Sequence, residues 1–231
     1  MFGVGMTYAS GCGNKVLIRI GGGNLKSIVV LLIAGLMAYI MTRTDFYGII
    51  FHSWMNPISP DLAILGIEDQ SLSTIMSSII FTANTVYYKL TIGLLVGFIF
   101  MYYIFRSGSF VKNIDNVIGG FIVGSVVVLA WYLTGSTLGQ EWIETNDFLD
   151  NPLPGVGVQS FTFINPMGES IIYFSKSADI YYLTFGVTAL LSVILGSFVY
   201  SMMSRSFRME WFQSKEDFKR HMIGAVLIGI G

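Results

Sequence analysis

Cys12 is the one cysteine of this 231-residue chain, and it stands between two glycines in Ser10-Gly11-Cys12-Gly13-Asn14. Glycine on each side lets a backbone come close to a ligand, and a thiol is a soft, weak donor. A second polar group is Asn165-Pro166-Met167-Gly168-Glu169-Ser170. Asn165 reads as an N-cap with Pro166 in the first helical position. A helix start offers free N–H groups and the positive end of a dipole, which suits an anion. Glu169 opposes that use, so it is expected to be protonated, paired with a cation such as Lys15, or simply solvated. The plain reading of Cys12 is a small buried hydrophobe. One cysteine makes no intramolecular disulfide. Gly21-Gly22-Gly23 lacks the Gly-Lys-Ser/Thr ending of a phosphate loop and reads as a turn. His52 and His221 have no second His or Cys nearby, so no metal site or cofactor is expected.

The elements that must position these residues are membrane elements. The chain is 53% hydrophobic and 12% charged, with a mean hydropathy of +0.67. A soluble domain carries roughly 25% charge, so much of this surface must face something other than water. Four apolar stretches approach the length needed for a hydrocarbon core of about 30 Å: residues 27–42, 90–105, 116–134 and 180–204. Gly93 with Gly97, and Gly120 with Gly124, are spaced as close-packing faces.

Charge orients the four crossings. Lys15, Arg19, Lys26, Arg106, Lys112, Arg205, Arg208, Lys215, Lys219 and Arg220 fall on alternate connections, 10 of the 13 basic residues. The other connections hold Arg43, Lys89 and Lys176 against 10 of the 14 acids, among them Glu141, Glu144, Asp147 and Asp150. The positive-inside rule makes the basic side cytoplasmic. The run from Arg205 to Arg220 is then a cytoplasmic loop, and nothing in the chain points to nucleic acid. The semi-polar run from Leu72 to Tyr88 suits an interfacial helix, with Tyr87 and Tyr88 near the headgroups. Residues 166–177 make a helix of half a bilayer, and because both flanking segments lie outside it must be re-entrant or interfacial. Residues 221–231 begin a span that stops short, and the N-terminus opens inside an apolar glycine-rich run. Both ends are therefore expected to be cut.

The stretch from Gly3 through Gly11-Cys12-Gly13 to Gly22-Gly23-Asn24-Leu25-Lys26-Ser27 resembles the YeeE/YedE family of sulfur transport proteins. That family uses a Gly-Cys-Gly or Gly-Cys-Thr element after an apolar, glycine-rich half-helix. The resemblance resumes at Ser160-Phe161-Thr162-Phe163, at Pro166-Met167-Gly168-Glu169-Ser170 and at Arg220-His221-Met222-Ile223-Gly224. It is weakest over residues 43–89 and 135–157.

The resemblance implies an all-α integral membrane fold. This would be a polytopic helical bundle of inverted repeats with discontinuous or re-entrant half-helices, one over the Cys-bearing region 1–26 and the second repeat incomplete. It implies a transporter or channel, not an enzyme, for uptake of thiosulfate or a related sulfur anion across the bacterial inner membrane. A cytoplasmic sulfur carrier of the TusA type is the implied partner beside the lipid bilayer. Cys12 becomes a relay contact; Ser10, Gly11, Gly13 and Asn14 shape its pocket, and Asn165, Gly168, Glu169 and Ser170 supply a second helix start. Two alternatives stay open: a membrane sulfur- or selenium-transfer protein with a Cys12 persulfide, and a non-catalytic membrane subunit.

Overall fold

The computed structural model describes residues 1–59, 85–150, 152–153 and 155–231. Among these the regular structure is helical. Helices α1 (Phe2–Tyr8), α2 (Gly13–Gly21) and α3 (Leu25–Arg43) open the chain. After residue 84 come α4 (Thr85–Arg106), α5 (Gly108–Lys112), α6 (Ile114–Gly135) and α7 (Thr137–Asp147). Helices α8 (Ile164–Ser175), α9 (Phe185–Met203) and α10 (Lys215–Ile230) complete it. Helices α3, α4, α6 and α9 are each long and apolar enough to cross a membrane. Nineteen residues of α3 rise about 28 Å, close to the hydrocarbon thickness. The chain is a polytopic helical membrane protein.

Local chemistry sets where the helices begin. Asn24 Oδ1 accepts from the Ser27 N–H and hydroxyl, both at 3.1 Å, and caps α3. Thr184 Oγ1 accepts from Val187 N–H at 3.3 Å and caps α9. The apolar run that opens at Ile180 is therefore divided, with a separate turn at Ile180–Tyr182 ahead of the helix. Ser214 caps α10 through Asp217 N–H at 3.1 Å, with Glu216 and Asp217 in the first turn where the dipole favours acids.

The chain divides into two compact units, residues 1–51 with 127–231, and residues 52–126. In the first, α3 packs on both α8 and α10, α1 on α10, and α2 on α9 and α3. Small residues allow the approach. A Cβ on Gly5 would lie 2.8 Å from Ile228 N, one on Gly21 2.6 Å from Ile194 O, and one on Gly35 2.7 Å from Met167 O. Leu17, Val30, Ala34, Met167, Leu190 and Ile228 fill the core between them. At Gly93/Gly97 and Gly120/Gly124 no described helix makes such an approach. A Cβ on Gly93, Gly97 or Gly124 would meet no described atom within 4 Å, and Gly120 meets only the Phe110 ring edge at 4.0 Å. In the second unit, α4 carries apolar side chains exposed along its length, including Leu94, Phe98, Met101 and Tyr102.

One ion pair ties α3 to α10. Lys26 Nζ lies 3.0 Å from Asp217 Oδ2, and His221 Nδ1 lies 3.1 Å from Asp217 Oδ1. Donation from Lys26, then from Gln213 N–H, holds the Asp217 carboxyl below the ordinary carboxylate range. A depressed carboxylate stabilises the fold above its unfolded value near pH 4 and loses that contribution as pH falls through the lowered value. Asp217→Asn is accordingly expected to melt lower than the parent at pH 7, by no more than about 1 kcal/mol for a pair this accessible. In detergent melts the gap should narrow as pH falls below the ordinary carboxylate value near 4.

Candidate functional site

The Cys-bearing region is two short helices, α1 and α2, with a sharp break between them. Helix α1 stops at Tyr8, and the turn places Ser10 at φ 61° and Gly11 at φ 156°. The first is left-handed and unusual for a residue other than glycine. Gly11 N–H donates to Met6 O at 2.8 Å, which closes the turn on α1. Cys12 then returns to extended backbone (φ −77°, ψ 173°) and becomes the N-cap of α2. Its carbonyl accepts from Val16 N–H at 3.0 Å, while its thiol makes no capping bond. The thiol is half-buried and free. Position and chemistry agree here: a side chain at an N-cap lies beside the first free N–H groups of the helix.

Gly13, the first residue of α2, is buried against the start of α8. A Cβ there would lie 3.0 Å from Ile164 Cδ1, 3.2 Å from Met167 Cε and 3.7 Å from Phe163 Cβ. The first residue of α2 therefore packs against Phe163, Ile164 and Met167 at the start of α8, and a side chain at position 13 would crowd that contact. Ser10 and Asn14 are exposed near this junction and Gly11 is half-buried.

The other predicted residues take roles that their types and spacing do not signal. Helix α8 begins at Ile164 with Phe163 as N-cap, so Asn165 and Pro166 lie inside its first turn. Asn165 does not cap, because it is already the second residue of the helix; its Nδ2 donates instead to Glu169 Oε1 at 2.7 Å, one turn on. Gly168 is a packing contact, with its Cβ direction 3.1 Å from Tyr39 N on α3. Ser170 is buried and gives its hydroxyl proton to Met167 O at 2.7 Å.

Glu169 neither sits in water nor pairs with Lys15. It is 5% exposed, and its Oε2 accepts from Thr184 Oγ1 at 2.6 Å. Among the described residues it makes no ion pair, and its two acceptor oxygens are each met by a neutral donor. Three elements meet on it: α8, the cap of α9, and Gly155 in the loop after α7, whose φ of +84° turns the backbone onto Oε1. Gly186 approaches from α9, its Cβ direction 3.3 Å from Oε2. Thr184 and Gly155 are not among the residues the sequence singles out. A threonine just before an apolar run is a cap signal, but nothing local indicates that its hydroxyl would turn to a carboxylate fifteen residues back.

The loop that carries Gly155 is itself fastened. Thr134 Oγ1 accepts from Gln159 N–H at 3.1 Å and donates to Gln159 O at 2.7 Å. Ser160 Oγ donates to Val127 O at 2.9 Å. Buried Asn146 holds Leu153 by both backbone groups, at 2.7 and 3.3 Å. The loop is thus tied to α6 and α7 at both ends before it crosses Glu169.

The family model described as sulphur transport matches residues 1–231. Among curated proteins, the thiosulfate transporter TsuA of Escherichia coli (strain K12) is 25% identical over 251 aligned positions. That match takes in 100% of this chain and 60% of the relative, so the chain spans about three-fifths of the length of the protein it matches.

Proposed function

The chain belongs to the sulphur transport family, and from that premise we propose that it takes part in uptake of thiosulfate or a closely related sulfur anion. The reading rests chiefly on one arrangement: the Cys12-capped start of α2 lies against the first turn of α8 through Gly13. Each of these helix starts carries free N–H donors and a positive dipole end, which favour an anion nearby. The half-buried thiol adds a soft contact beside them. Such a site holds an anion by fixed donors and releases it without a bond being made or broken.

In this proposal α3, α4, α6 and α9 are the crossings of a bacterial inner membrane. Helix α8, about 18 Å long at 12 residues, reaches only part of the way across. The basic connections face the cytoplasm, and a sulfur-carrier protein of the TusA type receives the anion there. The relative TsuA is a thiosulfate transporter, which supports the choice of substrate.

Uptake of labelled thiosulfate by cells expressing the protein, with and without excess unlabelled sulfate, tests the reading. Accumulation that unlabelled thiosulfate abolishes and sulfate leaves largely intact is the expected result. Absence of thiosulfate-dependent accumulation in cells with protein in the membrane would overturn it. Mass measurement of protein recovered from those cells is expected to show unmodified Cys12; a stable added sulfur would favour the persulfide alternative.

A further inference from the structure

A second polar site lies away from Cys12, where α2 and α9 end. There a cleft of about 380 Å³ is lined by Arg19, Asn24, Tyr200, Arg208 and Glu210, with Ile18 on its apolar wall. The backbone builds it. Arg208 N–H donates to Gly22 O at 3.0 Å, Glu210 N–H to Gly23 O at 3.3 Å, and Leu25 N–H to Glu210 O at 3.0 Å. This short parallel bridge straps residues 208–210 to the turn after α2 and holds Arg208 in the same cleft as Arg19.

The charge there is unbalanced. Glu210 is the one acid lining the cleft, and it accepts from Asn24 Nδ2. Arg19 and Arg208 make no side-chain hydrogen bond or ion pair among the described residues. The carbonyls that end α2 are already taken, since Ser197 Oγ donates to Ile18 O at 2.6 Å and Ser201 Oγ to Gly21 O at 3.0 Å. Two guanidinium groups with no acceptor among the described residues thus line one cleft, an arrangement that favours a bound anion. Beside it, α9 exposes Leu195, Phe198, Val199 and Tyr200 on a helix of membrane-spanning length. A soluble oxyanion would use the arginines alone, whereas a lipid uses both the charge and the apolar wall.

We propose that this cleft is a headgroup site for an anionic phospholipid, with Arg19 and Arg208 on the phosphate and the acyl chains along α9. The inference does not depend on the transported substrate. It is tested on protein purified in neutral detergent, by native mass spectrometry and melting with added phosphatidylglycerol, phosphatidylcholine or inorganic phosphate. Phosphatidylglycerol is expected to bind and raise the melting temperature more than phosphatidylcholine. Arg19→Gln with Arg208→Gln should weaken phosphatidylglycerol binding roughly tenfold or more, while the double lysine replacement keeps most of it. Lys215→Gln with Lys219→Gln removes the same charge from exposed positions outside the cleft and should change little. Equal loss in that control, or full binding by the double glutamine variant, would overturn the site. Protection by inorganic phosphate equal to that by lipid would overturn the lipid assignment. Arg208→Gln alone, at an exposed position, gives the same readout should the double variant fail to fold.

Discussion

Cells that depend on thiosulfate as sole sulfur source are expected to stop growing when the protein carries Cys12→Ala, although the variant reaches the membrane in normal amount. The two halves of this expectation have separate causes. The thiol makes no capping bond and is half-buried, so its removal takes away a small apolar group worth about 1 kcal/mol or less. The fold should hardly notice. The donors of α2 and α8 also survive, because they are backbone groups. What disappears is the one soft group beside them, and uptake is expected to fall at least about tenfold, the factor that about 1.4 kcal/mol of binding free energy supplies at the point of passage. Cys12→Ser restores size and puts in a harder, stronger donor. It is expected to bind the anion and pass it on slowly, so uptake should lie between alanine and parent. Unchanged growth of well-expressed Cys12→Ala would sink the relay role and leave Cys12 as a packing residue of the turn.

How far these features could be read in the sequence depends on the range of the interaction that makes each one. A bilayer sets the length of an apolar helix and strips it of charge, so the membrane class is visible in composition and run length alone. Family membership is visible because the glycines and the cysteine stand together in a short motif. Helix α7 escapes such a reading because it carries Glu141, Glu144 and Asp147, and a search for apolar runs passes over it. The Leu72–Tyr88 run, expected as an interfacial helix, lies outside the described residues as far as residue 84.

Small-residue spacing misleads for a different reason. Two glycines four apart say that a face is available, not that another helix comes to it. Gly93 and Gly97 meet no described atom within 4 Å, while Gly5, on a seven-residue helix, meets the backbone of α10. The break between α1 and α2 depends on Ser10 taking a left-handed conformation, which propensity argues against. Asn165 is the instructive case. Its type and its proline neighbour signal a cap, yet the helix starts one residue earlier, at Ile164, so Asn165 lies inside the first turn and its amide donates to buried Glu169. That burial depends on Gly155 and Thr184, brought in from two other parts of the chain.

Glu169→Ala should therefore be the most destabilising single change near the site, by about 2–4 kcal/mol. It removes both acceptors at once, leaving the Asn165 amide and the Thr184 hydroxyl facing a gap under the Gly155 loop. Glu169→Gln is the sharper probe because it keeps shape and alters the donor pattern. Its carbonyl oxygen retains one bond, and its new NH2 needs an acceptor, which Asn165 supplies by turning its amide and Thr184 by turning its hydroxyl. Near-parental melting in detergent is expected. If Gln proves as damaging as Ala, shape and neutral donors do not hold the loop and this account fails. Gly155→Ala attacks the same contact from the other side, since its Cβ would overlap Glu169 Oε1 at a φ that disfavours any side chain. The two changes share one space, so they are expected not to add. Glu169→Ala with Gly155→Ala should cost less than the sum of the separate losses, because removing the carboxylate makes room for the new methyl. Strict additivity in that cycle would mean that the loop and the carboxylate act independently, and that the fastening of the loop by Thr134 and Asn146 is enough to hold it.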